Sequence, residues 1–263
     1  MKNPNPGAIA FRARFARRLP LRLEAALAPV AAGFIALAVA VGVPRMAAWA
    51  SVELAAVVPR ASVELLPILW YRLPIPVFRP GRYPPPSWSF VVLVVGLMAI
   101  ALLWRGEGRR LVAPFRLWLV YVVGLFVVSA AFFLLVPEAF PYTMRDVAIL
   151  YFEMQVGLWI AVPIVVGAAL VPLTYRRGAA LLHVVMLVVL EVYSILFGWV
   201  RYGVLVAALP WISYLAMAPI FFAFGPLMDF IYVSAFYGLY VGLLAETARR
   251  RPDVWRWGYS SSS

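Results

Sequence analysis

The 263-residue chain contains no cysteine. Disulfides, iron–sulfur clusters, thiolate-held metals and a cysteine nucleophile are therefore outside its own chemistry. It has a single histidine, His183. A bis-histidine haem, or the histidine-rich metal clusters of membrane hydroxylases, cannot be assembled from this chain alone. Its only lysine is Lys2, outside any apolar run, so a retinal Schiff base has no anchor. No phosphate loop, nucleophile elbow or HExxH motif is present. No catalytic residue, metal ligand or cofactor is assigned on these grounds, and a non-catalytic role is expected.

Charge is also scarce. Charged residues make up 13% of the chain and hydrophobic residues 65%, with a mean hydropathy of +0.92. A soluble domain carries roughly 25% charged and about 45–50% apolar residues. This composition suits lipid. The net charge of +12 comes almost wholly from arginine. In a soluble protein it would point to nucleic acid. Here the arginines flank apolar runs, so membrane lipids are the expected partner and nucleic acid is not.

The apolar runs are 25–43, 88–104, 117–136, 147–171, 179–200, 202–224 and 227–245. Each is near the roughly 20 residues that carry a helix across about 30 Å of hydrocarbon. The expected fold is an all-α, polytopic transmembrane helix bundle. Residues 1–22 form a basic start in which Phe11, Phe15 and Leu19 fit a short interfacial helix, and 23–43 form an uncleaved first span. Residues 44–87 form an outer insertion, 88–247 the bundle and 248–263 a basic tail. Arginine placement puts the N-terminus in the cytoplasm. Run 202–224 carries Pro210 and Pro219. Six full spans plus this one irregular or re-entrant segment keep the basic tail inside; seven spans, the alternative, would put it outside.

The insertion states one word twice: Ala50-Ser51-Val52-Glu53-Leu54 returns as Ala61-Ser62-Val63-Glu64-Leu65. Two copies are too few for a repeat architecture, and a crossing would bury Glu53, Arg60 and Glu64. With Pro59 between the copies, the reading is two short amphipathic helices, 46–58 and 60–71. A proline-rich extended stretch follows up to Trp88. Coincidence in Ala/Val-rich sequence is an equal explanation of the doubled word.

Charges within spans are functional candidates. Asp146 matches a capping box with Thr143, and Asp229 lies in a first helical turn, where the dipole accepts an anion. Glu246 lies at a helix end. These three read as structural. Glu153, His183, Glu191 and Arg201 remain as a candidate polar membrane site. Counting back from the turn at Arg176-Arg177 places Glu153 at the height of Arg201, so an ion pair between them is expected. Glu191 falls near mid-membrane, close to Trp159, Ile160, Tyr193 and Ser194. A lone carboxylate there must carry a proton or accept hydrogen bonds. In the last run, Ser234, Gly238 and Gly242 form a small-residue stripe suited to close helix packing. Tyr232, Phe236 and Tyr240 form an aromatic stripe that serves packing or lines a groove for a pigment or lipid tail.

Three functions are compatible with these residues. The first is a non-catalytic membrane subunit that docks other membrane subunits through its last helix and outer insertion. The second is a transporter or channel component using Glu191. The third is an intramembrane enzyme on lipid-linked substrates, in which the four polar residues would have to converge.

Overall fold

The computed structural model describes residues 26–58, 61–78, 83–105, 113–140, 142–173 and 179–249. The basic start and the end of the basic tail, for which an interfacial helix and a cytoplasmic position are expected, lie outside the described residues. The elements in chain order are α1 (Leu27–Val57), β1 (Ala61–Ile68), β2 (Tyr71–Phe78), α2 (Pro86–Arg105), α3 (Ala113–Leu135), α4 (Met144–Leu170), α5 (Ala179–Ile212), α6 (Met217–Phe224) and α7 (Pro226–Arg249). Short 3₁₀ turns follow α3, α4 and α5. Counting α6 and α7 as one broken rod, six helices are long and apolar enough to cross a membrane. In lipid the backbone must satisfy its own polar groups, which is why such runs are helical.

The centre of the bundle is the contact of α1 with α4. The buried face of α1 is Ala28, Ala32, Ala36, Val39, Val43, Ala47 and Ala50, spaced by three and four residues and mostly alanine. Small side chains let two backbones approach, and Gly167 of α4 sits at the closest point. A Cβ there would lie 2.5 Å from the Ala32 Cβ and 3.3 Å from the Ala28 carbonyl. The start of α4 carries the expected capping box: the Thr143 amide donates to Asp146 at 2.8 Å and the Asp146 amide to the Thr143 hydroxyl at 3.3 Å. α5 runs antiparallel to α4, with the Tyr151 hydroxyl donating to the Gly198 carbonyl at 2.6 Å and Trp159 Nε1 to the Ser194 carbonyl at 3.2 Å. α2 packs mainly on α3, and this pair stands at the margin, with few residues buried.

Run 202–224 does not form one segment. Its first half extends α5 to Ile212. The chain then turns at Ser213, which has a positive φ of 76°, and returns as α6. α6 passes into α7 through a break at Gly225, where a Cβ would meet the Phe221 carbonyl at 2.1 Å. Only glycine allows that approach.

The insertion is corrected outright. α1 continues to Val57, and residues 61–78 form an antiparallel β-hairpin, not a second helix and an extended proline segment. The first copy of the doubled word is therefore helix and the second is strand. Leu66, Ile68, Leu73, Ile75 and Val77 are buried against α1, α4 and α5, which is the period-2 burial of a strand. The prolines fit the sheet for a specific reason. Pro74 and Pro76 stand on the edge of β2 away from β1, where no ladder N–H is needed. Their carbonyls on that edge accept hydrogen bonds from the hydroxyls of Ser51 and, at 2.6 Å, Tyr202. Helix propensity lost to this packing.

Candidate functional site

The face of α5 that meets α7 carries polar residues at three heights. Nearest the α5 start, His183 Nδ1 and the Tyr240 hydroxyl share a hydrogen bond of 2.5 Å. Further along, the Ser194 and Tyr232 hydroxyls share one of 2.6 Å. At the level of the Gly225 break, Arg201 donates to Asp229 Oδ1 at 2.8 Å and Oδ2 at 3.0 Å, and to Gln155 Oε1 at 2.5 Å. It also donates to the carbonyls of Phe224 and Gly225, at 2.7 and 2.9 Å, and lies 4.9 Å from the centre of the Phe197 ring. At the break the guanidinium fork adds a donor to each of these carbonyls, and the Gly225 carbonyl also accepts the Asp229 amide at 3.1 Å. Both members of the Arg201–Asp229 pair are buried. A buried pair is tolerated only when the remaining polar valences are met. Here most are, though Arg201 Nε and Gln155 Nε2 have no partner among the described residues.

The expected site residues are thus divided. Arg201 lies beside α4 at Gln155, two residues from the Glu153 expected at its height. The expected Glu153–Arg201 pair is not formed: the carboxylate on Arg201 is Asp229. Glu153 is half-buried. Asp229 does lie in the first turn of α7 as expected, and it serves the ion pair from there. Asp229 and Gln155 are the residues that sequence reasoning left out of the site. The signal was a second charge of opposite sign to Arg201 within an otherwise apolar run.

Glu191 is 4% exposed, and neither carboxylate oxygen has a hydrogen-bond partner among the described residues. His183 is fully buried with Nε2 likewise unpartnered. The two are eight positions apart, about 12 Å of helix, and the residues between them include buried Met186, Leu187 and Leu190. This apolar stretch interrupts any hydrogen-bonded chain along the seam. His183 and Arg201 are about 27 Å apart along α5 by helix rise, so the four candidates do not converge on one pocket. Among the described residues no group of three His, Asp or Glu side chains is placed to hold a metal ion.

The two stripes of α7 point opposite ways. Tyr232 and Phe236 pack on Tyr193 of α5, at ring separations of 5.2 Å each, and Tyr240 on His183 at 5.6 Å. The aromatic stripe packs against α5. Ser234, Gly238 and Gly242 lie on the exposed side, and a Cβ at either glycine would meet nothing within 4 Å. No protein-family model, curated protein or solved structure matches the chain.

Proposed function

We propose that this multi-pass protein is a non-catalytic subunit of a membrane assembly, cytoplasmic at both ends, that receives a partner helix on α7. The observation that carries this reading is the uncovered small-residue stripe. A small-xxx-small face is useful because it lets a second backbone approach closely, and among the described residues no helix uses it. Bulky Phe230, Leu239 and Leu243 border it and are 60–70% exposed. Glycine in a helix costs about 1 kcal/mol relative to alanine; two on one exposed face are accounted for by a partner. Orientation rests on the alternation of the helices. Six crossings leave both chain ends, the α2–α3 connection and the α4–α5 connection on one side. Arg12–Arg22, Arg105, Arg109, Arg110, Arg176, Arg177 and Arg249–Arg251 then share it, as the positive-inside bias requires.

The test uses assemblies extracted from native membranes in mild detergent. A Ser234→Cys variant, in a chain otherwise free of cysteine, labelled with a photoactivatable benzophenone maleimide, is expected to cross-link on illumination to one defined polypeptide. Gly238→Leu is expected to abolish that product while the isolated chain keeps its thermal stability. A chain that migrates alone, with no cross-linked product from Ser234→Cys, overturns the reading.

One observation favours a second reading, a transporter or channel component: the unpartnered, buried Glu191. Against it, the helix break at Gly225 is the kind of place where transporters hold substrate or ion, and Arg201 already fills it. Loss of proton-coupled flux in liposomes on Glu191→Gln would move this reading ahead.

A further inference from the structure

The β-hairpin folds back along α1 toward the bilayer, and its depth can be fixed twice. Ser51 of α1 donates to the Pro74 carbonyl, so these two residues lie at one height. From Pro74 to Trp70 is four strand residues, about 13 Å at 3.3 Å each, equal to about nine residues of helix. That brings the turn to the level of Gly42. Independently, the Tyr71 hydroxyl donates at 2.7 Å to the carbonyl of Ala40. Both fixes put the turn at the end of the apolar run 25–43, where the charged Arg45 first appears and is exposed.

The turn itself is unusual in composition. Leu69 and Trp70 are its two central residues. Leu69 has a φ of 52°, a region in which a non-glycine residue is strained by about 1–2 kcal/mol. Hairpin turns usually place Gly, Asn or Asp there. Instead the tip carries two large apolar side chains, 43% and 70% exposed. Leu65, on the same side of β1, is 68% exposed, and Arg72 beside the tip is exposed as well. An apolar tip with an aromatic ring and flanking arginines, at the level where hydrocarbon meets headgroups, has the chemistry of an interfacial anchor.

We infer that the Leu69–Trp70 tip of the hairpin is a lipid-binding element. It dips into the headgroup–acyl boundary of the outer leaflet, with Arg45 and Arg72 at the height of the phospholipid phosphates. The inference rests on α1 crossing the bilayer and is independent of any partner on α7. In this arrangement the base of the hairpin, at Ser62, stays in water.

The natural absence of cysteine makes the test direct. Leu69→Cys, Trp70→Cys and Ser62→Cys chains are reconstituted in phospholipid nanodiscs, which leave both membrane faces open to reagent. A membrane-impermeant maleimide is expected to modify the two tip variants about tenfold more slowly than Ser62→Cys, as insertion by 5–10 Å requires, and all three equally after denaturation. A polarity-sensitive fluorophore on the tip cysteines is expected to be quenched by lipids spin-labelled near the headgroup, and one on Ser62→Cys is not. Equal modification rates in the folded state, or no quenching at either tip position, overturn the proposal. Two tip variants are used so that misfolding of one leaves the other decisive.

Discussion

Arg201 of α5 and Asp229 of α7 meet at 2.8 Å inside the bundle, and the guanidinium also donates to the Phe224 and Gly225 carbonyls at the helix break. The pair joins two helices and braces the break at Gly225. Removing one partner strands the other charge in an apolar surrounding. Arg201→Met and Asp229→Leu, each alone, are expected to lower stability by about 3–5 kcal/mol. Arg201→Met with Asp229→Leu leaves no stranded charge, so the double variant is expected to lose less than the sum of the singles. Denaturant titration in detergent, arranged as a double-mutant cycle, reads both.

Gly167 holds α4 against the alanine face of α1. Gly167→Leu is expected to cost about 1–3 kcal/mol, because its obstacles are backbone and Cβ atoms that cannot rotate away. Gly124 of α3 is the contrast, since a Cβ there meets nothing within 4 Å. Gly124→Ala is expected to be neutral or to stabilise by up to about 1 kcal/mol. Thermal unfolding of the purified variants separates the two.

The Tyr202 hydroxyl donates to the carbonyl of Pro76, which lies on the edge of β2 turned toward the bundle. Tyr202→Phe keeps the ring and leaves that acceptor buried without a donor. The expected loss is about 1–3 kcal/mol. Because the bond ties the hairpin to α5, the loss should be accompanied by faster proteolytic cleavage in residues 59–82 than elsewhere in the chain.

Glu191 has no partner among the described residues at either oxygen. If its place is only structural, an apolar residue of similar size should serve better. Glu191→Leu is expected to raise stability by about 1–3 kcal/mol, the usual penalty of an unsatisfied buried polar group. A fall in stability would reveal a bound ion or partner group at the carboxylate and would strengthen the transporter reading.

Much of the helical architecture can be read from residue order, because apolar runs in lipid have few alternatives. The runs at 88–104, 117–136 and 147–171 lie close to α2, α3 and α4, and a count from the Arg176-Arg177 turn placed Arg201 within two residues of its neighbour on α4. The failures are those of tertiary context. Arg201 looked like the end of a span, yet α5 passes through it because Asp229, Gln155 and two carbonyls satisfy the charge. The word Ala-Ser-Val-Glu-Leu is helix at Ala50 and strand at Ala61. Its local preferences are the same in both places, and only what packs against each copy differs. The prolines at 74 and 76 suggest an unpaired extended stretch, yet they sit in a strand because their missing N–H groups fall on its unpaired edge.

The α1–α4 contact joins segments that leave the ribosome far apart in time. The alanine face of α1 is complete when Val57 has been made, but its mate is not finished until Leu170. At ordinary elongation rates that is a wait on the order of ten seconds, during which α2 and α3 emerge and pair with each other off to one side. The hairpin can pack on the outer end of α1 meanwhile, but the membrane half of the alanine face, from Ala28 to Ala36, must wait in the bilayer until Gly167 arrives.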